Sequence, residues 1–400
     1  MKILLSAFSC EPDKGSENEV GYQTLRAAAS AHDVWLLTLS DNVASLERAI
    51  AAERLEGSVR VEGVEFGVSG PAFDDLSMPR FQWLYDAWQR SVARRAVAMD
   101  RRVGFDVVHH VTLSSYWTRP GVAAVPKPLL LGPMGGGVDA PVGLMPEFGL
   151  RGGAEGIARK ILRPMLAEMP FIKGPRERAT LILAQNGQTG RRLGSSRRVM
   201  ILSNALAADV GSVHGTGERT ADIAVVGRLL AWKAPSLALR VLSRSRSTDA
   251  VLRFFGDGPE RARVESLARR MGLLDRVRFE GWIPRERLLV ELRHAGVLLH
   301  PSLHEEAGLC IAEALSLGTP VVCIAHGGPA EIVRHWPATA SALVAPSTPR
   351  RTAGALAAAV DRFLADPPPL PDDVVAPTTS FAEAVLEAYR FAAEETTRDR

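Results

Sequence analysis

The sequence predicts an α/β protein of two domains, each a sheet of strands wrapped by helices. Two observations carry this: short apolar runs alternate with amphipathic segments along the chain, and after a pause near Ala205–Thr220 the alternation begins again. The length, 400 residues, exceeds one ordinary core and suits two domains of roughly 150–200 residues.

The first series reads as strands Ile3–Ala7, Val34–Thr38, Gly63–Val68, Val107–Val111, Pro128–Leu131, Leu181–Ala184 and Val199–Leu202, with helical patterns over Arg80–Asp100 and Gly156–Ala167. The second pairs strand Asp222–Val226 with helix Pro235–Arg244, strand Val251–Phe255 with helix Glu260–Met271, and strand Val277–Phe279 with helix Arg285–His294. Strand Val297–His300, helix Leu309–Leu317 and strand Pro320–Ile324 complete its ordered part. The connector is rich in Gly, Ser, Thr and Ala, as an exposed hinge is. Residues 1–204 and 205–375 are therefore expected to form two Rossmann-like domains facing across a cleft. Pro367–Pro371 ends the second series, and within 376–400 the stretch Ser380–Glu395 is helical, with Phe381, Val385, Leu386 and Ala388 on one side.

Composition excludes several classes. The chain is 46% apolar and 23% charged with a formal net charge of +3, which gives no reason to invoke nucleic acid. Cys10, Cys310 and Cys323 are too few and scattered for a disulfide framework or a zinc site and suit a reducing compartment. No stretch approaches the roughly 20 apolar residues of a membrane span, and Met1-Lys2 leads into a strand without a signal-peptide pattern. A cytoplasmic protein is expected. Basic stretches at Gln89–Arg102 and Arg151–Arg178 read as solvated helix faces or as a surface for anionic lipid at the inner face of a membrane; Trp83, Tyr85 and Trp88 keep the second reading open.

In open α/β sheets, ligands sit beyond the carboxyl ends of the strands, so loops after strands carry the chemistry. The loop after the first strand, Phe8 to Glu17, lacks G-x-G-x-x-G, and no such turn opens the second domain, which argues against a nicotinamide or flavin dinucleotide. In the second domain Glu305 and Glu313 flank seven residues, with Gly308 at the entrance to a helix. A helix N-terminus presents unpaired N–H groups and a positive dipole end to phosphate. A carboxylate one turn in, Glu313, can accept two hydrogen bonds from a ribose diol, and Glu305 can reach hydroxyls of the group attached to the phosphates. Gly227, Arg228 and Lys233 follow the first strand of that domain. Cations near a helix start oppose the dipole, whereas a departing diphosphate needs positive charge. Gly256 in Phe255-Gly-Asp-Gly-Pro259 fits a ligand loop or a plain turn, Trp282 or Ile283 can pack on a nucleobase or in the core, and the glycines of His326-Gly-Gly-Pro-Ala-Glu331 can aim N–H groups at the same place. Glu331 can equally be a first-turn helix acid.

Assembled, the motifs G-R-L…K, G-D-G-P, E-x7-E and G-G-x-x-E over Asp222–Glu331 resemble the donor half of family-4 retaining glycosyltransferases with the GT-B fold. The resemblance implies that Arg228 and Lys233 bind the donor diphosphate, that Glu313 holds the ribose and Glu305 the donor sugar, and that N–H groups of Gly308, Leu309 and Cys310 touch phosphate or sugar. Two positions depart from the family pattern: Ala234 stands for its glycine after the lysine, and Ala307 for its aromatic. The first half resembles the family's acceptor domain. Gly15, within Lys14-Gly-Ser-Glu17, would approach the diphosphate. Ser16 and Glu17 fall on the acceptor side, Glu17 being a polar contact or a helix acid. His110, rather than His109, matches a histidine set against the donor sugar, unless it is a satisfied core residue. The run Gly135-Gly136-Gly137 resembles a loop shaping the acceptor cleft, and the terminal helix one that crosses back to the first domain.

The implied function is a retaining hexosyltransferase that needs no metal or other cofactor. It would move sugar from a nucleotide-diphosphate-sugar to a glycan or lipid-linked glycan in cell-envelope or polysaccharide synthesis. A sugar-nucleotide epimerase and a non-catalytic nucleotide-sugar-binding protein are the alternatives.

Overall fold

The computed structural model describes residues 1–12, 14, 16–68, 78–148, 160–194, 198–211 and 218–398. Contacts divide the chain into two units, Met1–Gly137 with Leu162–Ala207 and Thr379–Arg400, and Val138–Ile161 with Ala208–Thr378.

The first unit is a seven-stranded sheet, β1 (Lys2–Ser6), β2 (Asp33–Leu39), β3 (Val59–Val64), β4 (Val107–His110), β5 (Leu129–Met134), β6 (Leu181–Ala184) and β7 (Val199–Ile201), in the order β3-β2-β1-β4-β5-β6-β7. Every pairing is parallel. The central strands are buried along their whole length, as expected where helices cover both faces. Two departures from the sequence reading stand out. Strand β3 begins at Val59 and ends at Val64, earlier than Gly63–Val68. Helices Ser16–Ala29, Val43–Ala52, Pro170–Arg178 and Gly187–Leu193, which the apolar pattern did not announce, cross between strands. Of the helix expected over Gly156–Ala167, only 160–167 lies within the described residues, and it is helical. Tyr85 and Trp88 are core residues on the Met78–Val103 helix, stacked with each other and edge-on to Phe8. Of the three aromatics beside the basic stretch, only Trp83 is exposed, at 66%.

The terminal helix, Phe381–Arg398, packs in this unit against the Ser16–Ala29 helix, with Phe381, Val385, Ala388, Tyr389 and Ala392 buried. Its Tyr389 hydroxyl lies 2.8 Å from His109 Nδ1, while His109 Nε2 lies 2.8 Å from the Gly132 carbonyl. A carbonyl only accepts, so Nε2 carries the proton and Nδ1 accepts from the tyrosine.

The second unit has six parallel strands, β8 (Ile223–Val226), β9 (Leu252–Phe255), β10 (Val277–Gly281), β11 (Val297–His300), β12 (Val321–Ile324) and β13 (Ser341–Val344), in the order β10-β9-β8-β11-β12-β13. The series does not stop at Ile324: edge strand β13 follows, then helix Pro349–Ala365, capped by the Thr348 side chain and opened by proline. Residues Val138–Phe148 belong here although they follow β5. Leu144 and Phe148 enter this core, the Glu147 carboxylate accepts from Ser236 Oγ at 3.0 Å, and the Val138 N–H donates to Glu306 Oε1 at 3.2 Å. In each sheet the strand order reverses direction beside the first strand, at β1/β4 and at β8/β11, the place where such sheets open a crevice for ligands.

We expect Tyr389→Phe to strand a buried imidazole nitrogen and to lower the first unit's unfolding midpoint by roughly 2–4 °C, as about 1 kcal/mol does in a unit of this size. Differential scanning calorimetry reads this; an unchanged profile would show that the terminal helix is held by its apolar face alone.

Candidate active site

The β8/β11 reversal places the loop 227–234 beside the loop 301–308. Lys233, on a 3-10 turn, forms an ion pair with Glu305 Oε2. His300, the last residue of β11, is buried, and its Nε2 lies 3.2 Å from the same Oε2. The Cys310 thiol lies 3.6 Å from His300 Nδ1. Since the carboxylate only accepts, His300 Nε2 carries hydrogen and Nδ1 accepts from the S–H, a thiol that burial pushes up to about 12. Burial alone would raise the Glu305 pKa, but the Lys233 ammonium, followed by His300, outweighs it and holds the carboxyl well below the usual range. Lys233 is shifted upward: burial opposes its charge, and Glu305 overcomes that. Both partners fall on Oε2. Oxygen Oε1 of Glu305 takes no hydrogen bond among the described residues.

Arg228 is exposed, has no ion-pair partner among the described residues, and lines with Gly227, Lys233, His300 and Ser302 a cavity of about 10 Å³, room for about one water. Gly308 caps helix Leu309–Ser316 at φ 85°, a left-handed conformation that favours glycine. The Leu309 and Cys310 N–H groups that follow have no intrahelical acceptor. Glu313 is buried one turn in. Its Oε1 receives Arg285 Nη2 at 2.9 Å, and its Oε2 is without a hydrogen bond among the described residues. Burial raises its pKa and Arg285 pulls the other way.

Other expected site residues take different parts. The Gly227 N–H donates to the Phe255 carbonyl at 2.9 Å and the Gly256 N–H to the Gly281 carbonyl at 2.8 Å, so neither is left for a ligand. A Cβ on Gly256 would meet the Gly227 oxygen at 2.3 Å, so this glycine seats the Arg228 loop. Gly328 likewise seats the other loop: its N–H donates to the Glu305 carbonyl at 2.9 Å, and a Cβ there would meet the Glu306 oxygen at 2.3 Å. Its N–H is not aimed at ligand. Glu331 pairs with Arg334 at 3.3 Å. Trp282 is 69% exposed, which removes its core reading, and Ile283 is half-buried. Ala234 adopts φ 49°, a left-handed conformation, with its methyl fully buried.

In the first unit, His110 ends β4, buried, with no hydrogen-bond partner for either ring nitrogen among the described residues. Burial, then His109, pushes its pKa down to about 3, so it is a neutral imidazole. Its neighbour His109 is the satisfied core histidine. Glu17 is tied within this unit: the Leu113 N–H donates to it at 2.9 Å and Asn204 Nδ2 at 3.4 Å, so the acid braces a loop. Gly136 and Gly137 are packing glycines, since a Cβ would meet the Trp117 ring at 1.8 Å and Thr189 Cα at 2.4 Å. Ser16 opens its helix, and Gly15 lies outside the described residues. Sequence reasoning passed over His300 and Arg285. A polar residue ending an apolar strand, the feature that marked His110, marks His300 too.

Lys233→Met should destabilise the second unit by about 3 kcal/mol at pH 7, because Glu305 is left buried without its cation. In the native protein the depressed Glu305 pKa contributes stability above the usual carboxylate range, lost as pH falls through the folded value. In the variant the carboxyl titrates higher, so the deficit should shrink toward pH 4, where it becomes neutral. Denaturant unfolding across pH 4–8 checks this, and a pH-independent deficit would dismiss the ion pair as its source.

The 2-deoxystreptamine glucosyltransferase of Streptomyces kanamyceticus is 35% identical over 151 residues, 37% of this chain and 37% of the relative. The chain thus matches little more than a third of that relative's length. Sucrose-phosphate synthase from Thermosynechococcus elongatus superposes over 99% of this chain and 97% of its own, with a TM-score of 0.58 at 20% identity. HepE of Anabaena in complex with UDP covers 98% of this chain and 100% of its own, with a TM-score of 0.53 at 15% identity. These likenesses are ones of fold, the α/β GT-B fold of two Rossmann-like domains. Residues 212–376 match the family described as Glycosyl transferases group 1.

Proposed function

We propose that the chain is a retaining, metal-independent glycosyltransferase. It moves a hexosyl group from a nucleotide-diphosphate-sugar to the hydroxyl of a glycan or lipid-linked glycan in cell-envelope or polysaccharide synthesis. The observation that carries this is Glu305, held ionised by Lys233 and His300 through one oxygen while the other is open. HepE binds UDP and a relative is named a glucosyltransferase, which favours a nucleotide-sugar donor.

On this reading Arg228 and Lys233 take the negative charge of the diphosphate. An ammonium has three N–H donors, so Lys233 can keep Glu305 and still reach a phosphate oxygen. As the bond from the anomeric carbon to the leaving oxygen breaks, charge grows on that oxygen, and these donors stabilise the transition state more than the ground state. The acceptor attacks from the face the diphosphate leaves, and the leaving phosphate oxygen takes the acceptor's proton. The products are the new glycoside and a protonated nucleoside diphosphate. Glu305 Oε1 accepts from a sugar hydroxyl; it orients the sugar and does not attack it. His110, neutral and with neither ring nitrogen hydrogen-bonded among the described residues, gives the first unit an uncharged hydrogen-bonding group.

Arg228→Ala should lower kcat by about 10²-fold, the scale of one lost transition-state donor, without moving the unfolding midpoint, since Arg228 is exposed and has no ion-pair partner among the described residues. Transfer assays with UDP-, GDP-, ADP- and dTDP-sugars, with and without a chelator, test it. Unchanged kinetics would refute the diphosphate role, and activity lost with chelator would refute metal independence.

A lipid-linked acceptor is presented at a membrane, and no helix among the described residues is long and apolar enough to cross one. The first unit instead carries a surface groove of about 500 Å³ lined by Arg90, Arg94, Arg119 and Phe171, with Arg119 over the Phe171 ring at 4.9 Å. Trp83 shares the helix face of Arg90 and Arg94, and Asp86 pairs with Arg90 at 2.9 Å. Cations beside exposed aromatics suit peripheral binding to anionic lipid. The full chain should sediment with phosphatidylglycerol vesicles and not with phosphatidylcholine vesicles. Arg94→Glu with Arg119→Glu should abolish this, and equal binding to both vesicles would refute it.

A further inference from the structure

We infer that Arg285 is a positioning residue of the donor site, holding the Glu313 carboxylate in place for the ribose of the nucleotide. The inference rests on the donor-site reading above. Its geometry repeats that of the first glutamate. Lys233 ties one oxygen of Glu305; Arg285 Nη2 ties Oε1 of Glu313 at 2.9 Å; in both, the second oxygen takes no hydrogen bond among the described residues. Two open acceptor sites remain on Glu313 Oε2, enough for the two hydroxyls of a vicinal diol.

Arg285 is poorly placed for any role in its own helix. It is the first residue of Arg285–His294, where the positive end of the dipole disfavours a cation. Nor is it saturated as a structural arginine would be. Arg219, by contrast, donates to the carbonyls of Pro368, Arg293, Ala295 and Gly318. Arg285 Nη2 donates to the Asp209 carbonyl at 2.5 Å and to Glu313, while its buried Nε has no partner among the described residues. A guanidinium held against the dipole, with one N–H unsatisfied, is accounted for by the carboxylate it orients. The position also follows the loop Trp282–Pro284 after β10, whose Trp282 and Ile283 are the two residues read above as able to pack on a nucleobase. No other basic side chain pairs with Glu313 among the described residues: Lys233 is taken by Glu305 and Arg334 by Glu331.

The test is calorimetric titration of the whole chain with the best-binding of UDP, GDP and ADP, each of which carries a ribose diol, and with the 2′,3′-dideoxy form of that nucleotide. Arg285→Gln should weaken binding of the ordinary nucleotide about 10-fold, the size of a lost charge-assisted contact. Arg285→Lys should restore most of that, because only one N–H meets Glu313. Against the dideoxy form, with no diol to orient, Arg285→Gln should bind like the native protein. In Glu313→Ala the further change Arg285→Gln should cost less than 2-fold, as expected of a residue acting through its partner. An equal loss for both nucleotides, or additive losses in the double variant, would overturn the inference and leave Arg285 a structural residue. If Glu313→Ala alone leaves binding unchanged, the ribose assignment falls and the inference with it. If Glu313→Ala weakens binding while Arg285→Gln does not, only the inference falls.

Discussion

A carboxylate buried beside a strand end is tolerable only if its charge is answered, and the answer at Glu305 organises the second unit's site. Lys233 arrives from the loop after β8 and His300 from the end of β11, so the contact exists only because the sheet order sets those two strands side by side. Burial would otherwise favour the neutral acid, and a neutral acid would be a far weaker acceptor of hydroxyls. The two loops that carry the pair are pressed into place from beneath by glycines, Gly256 under Gly227 and Gly328 under Glu306. The chemistry is set by the charged residues, and their precision by close backbone packing.

The first unit shows the same separation between groups that build and groups left open. Adjacent on β4, His109 and His110 point to opposite faces of the sheet. One is closed by Tyr389 and Gly132; the other's ring nitrogens have no hydrogen-bond partner among the described residues. Glu17 and the glycines at 136–137, expected on the acceptor side, are accounted for by the fold: the acid braces Leu113, and the glycines admit Trp117 and Thr189. A side chain's absence can serve a neighbouring ring as readily as a substrate.

Arg228, Lys233, Glu305, Gly308 and Glu313 were legible in the sequence because each follows an apolar strand run closely and the spacing within each motif is local. Arg285 and His300 were not. The Arg285–Glu313 contact spans 28 residues and depends on which helices the sheet order makes neighbours. His300 reads simply as the end of a strand. Likewise β13 is an edge strand of four residues with only one buried, too short and too wet to rise above its surroundings, and helices such as Ser16–Ala29 carry charge enough to blur their periodicity. The glycine-rich loops read two ways, since packing and ligand contact favour the same small residue.

The terminal helix has a consequence for how the chain is made. The first unit consists of three stretches of backbone, the last being Thr379–Arg400, and the bulk of the second unit lies between them. A ribosome delivers residues in order, so the partner of His109 emerges only after the second unit's Ala208–Thr378 has been synthesised. Until then a nascent chain holds a buried imidazole with one unmet nitrogen and an open apolar strip on the Ser16–Ala29 helix. A prematurely terminated product is therefore marked as unfinished in its opening unit, however complete the sheet that would hold the donor.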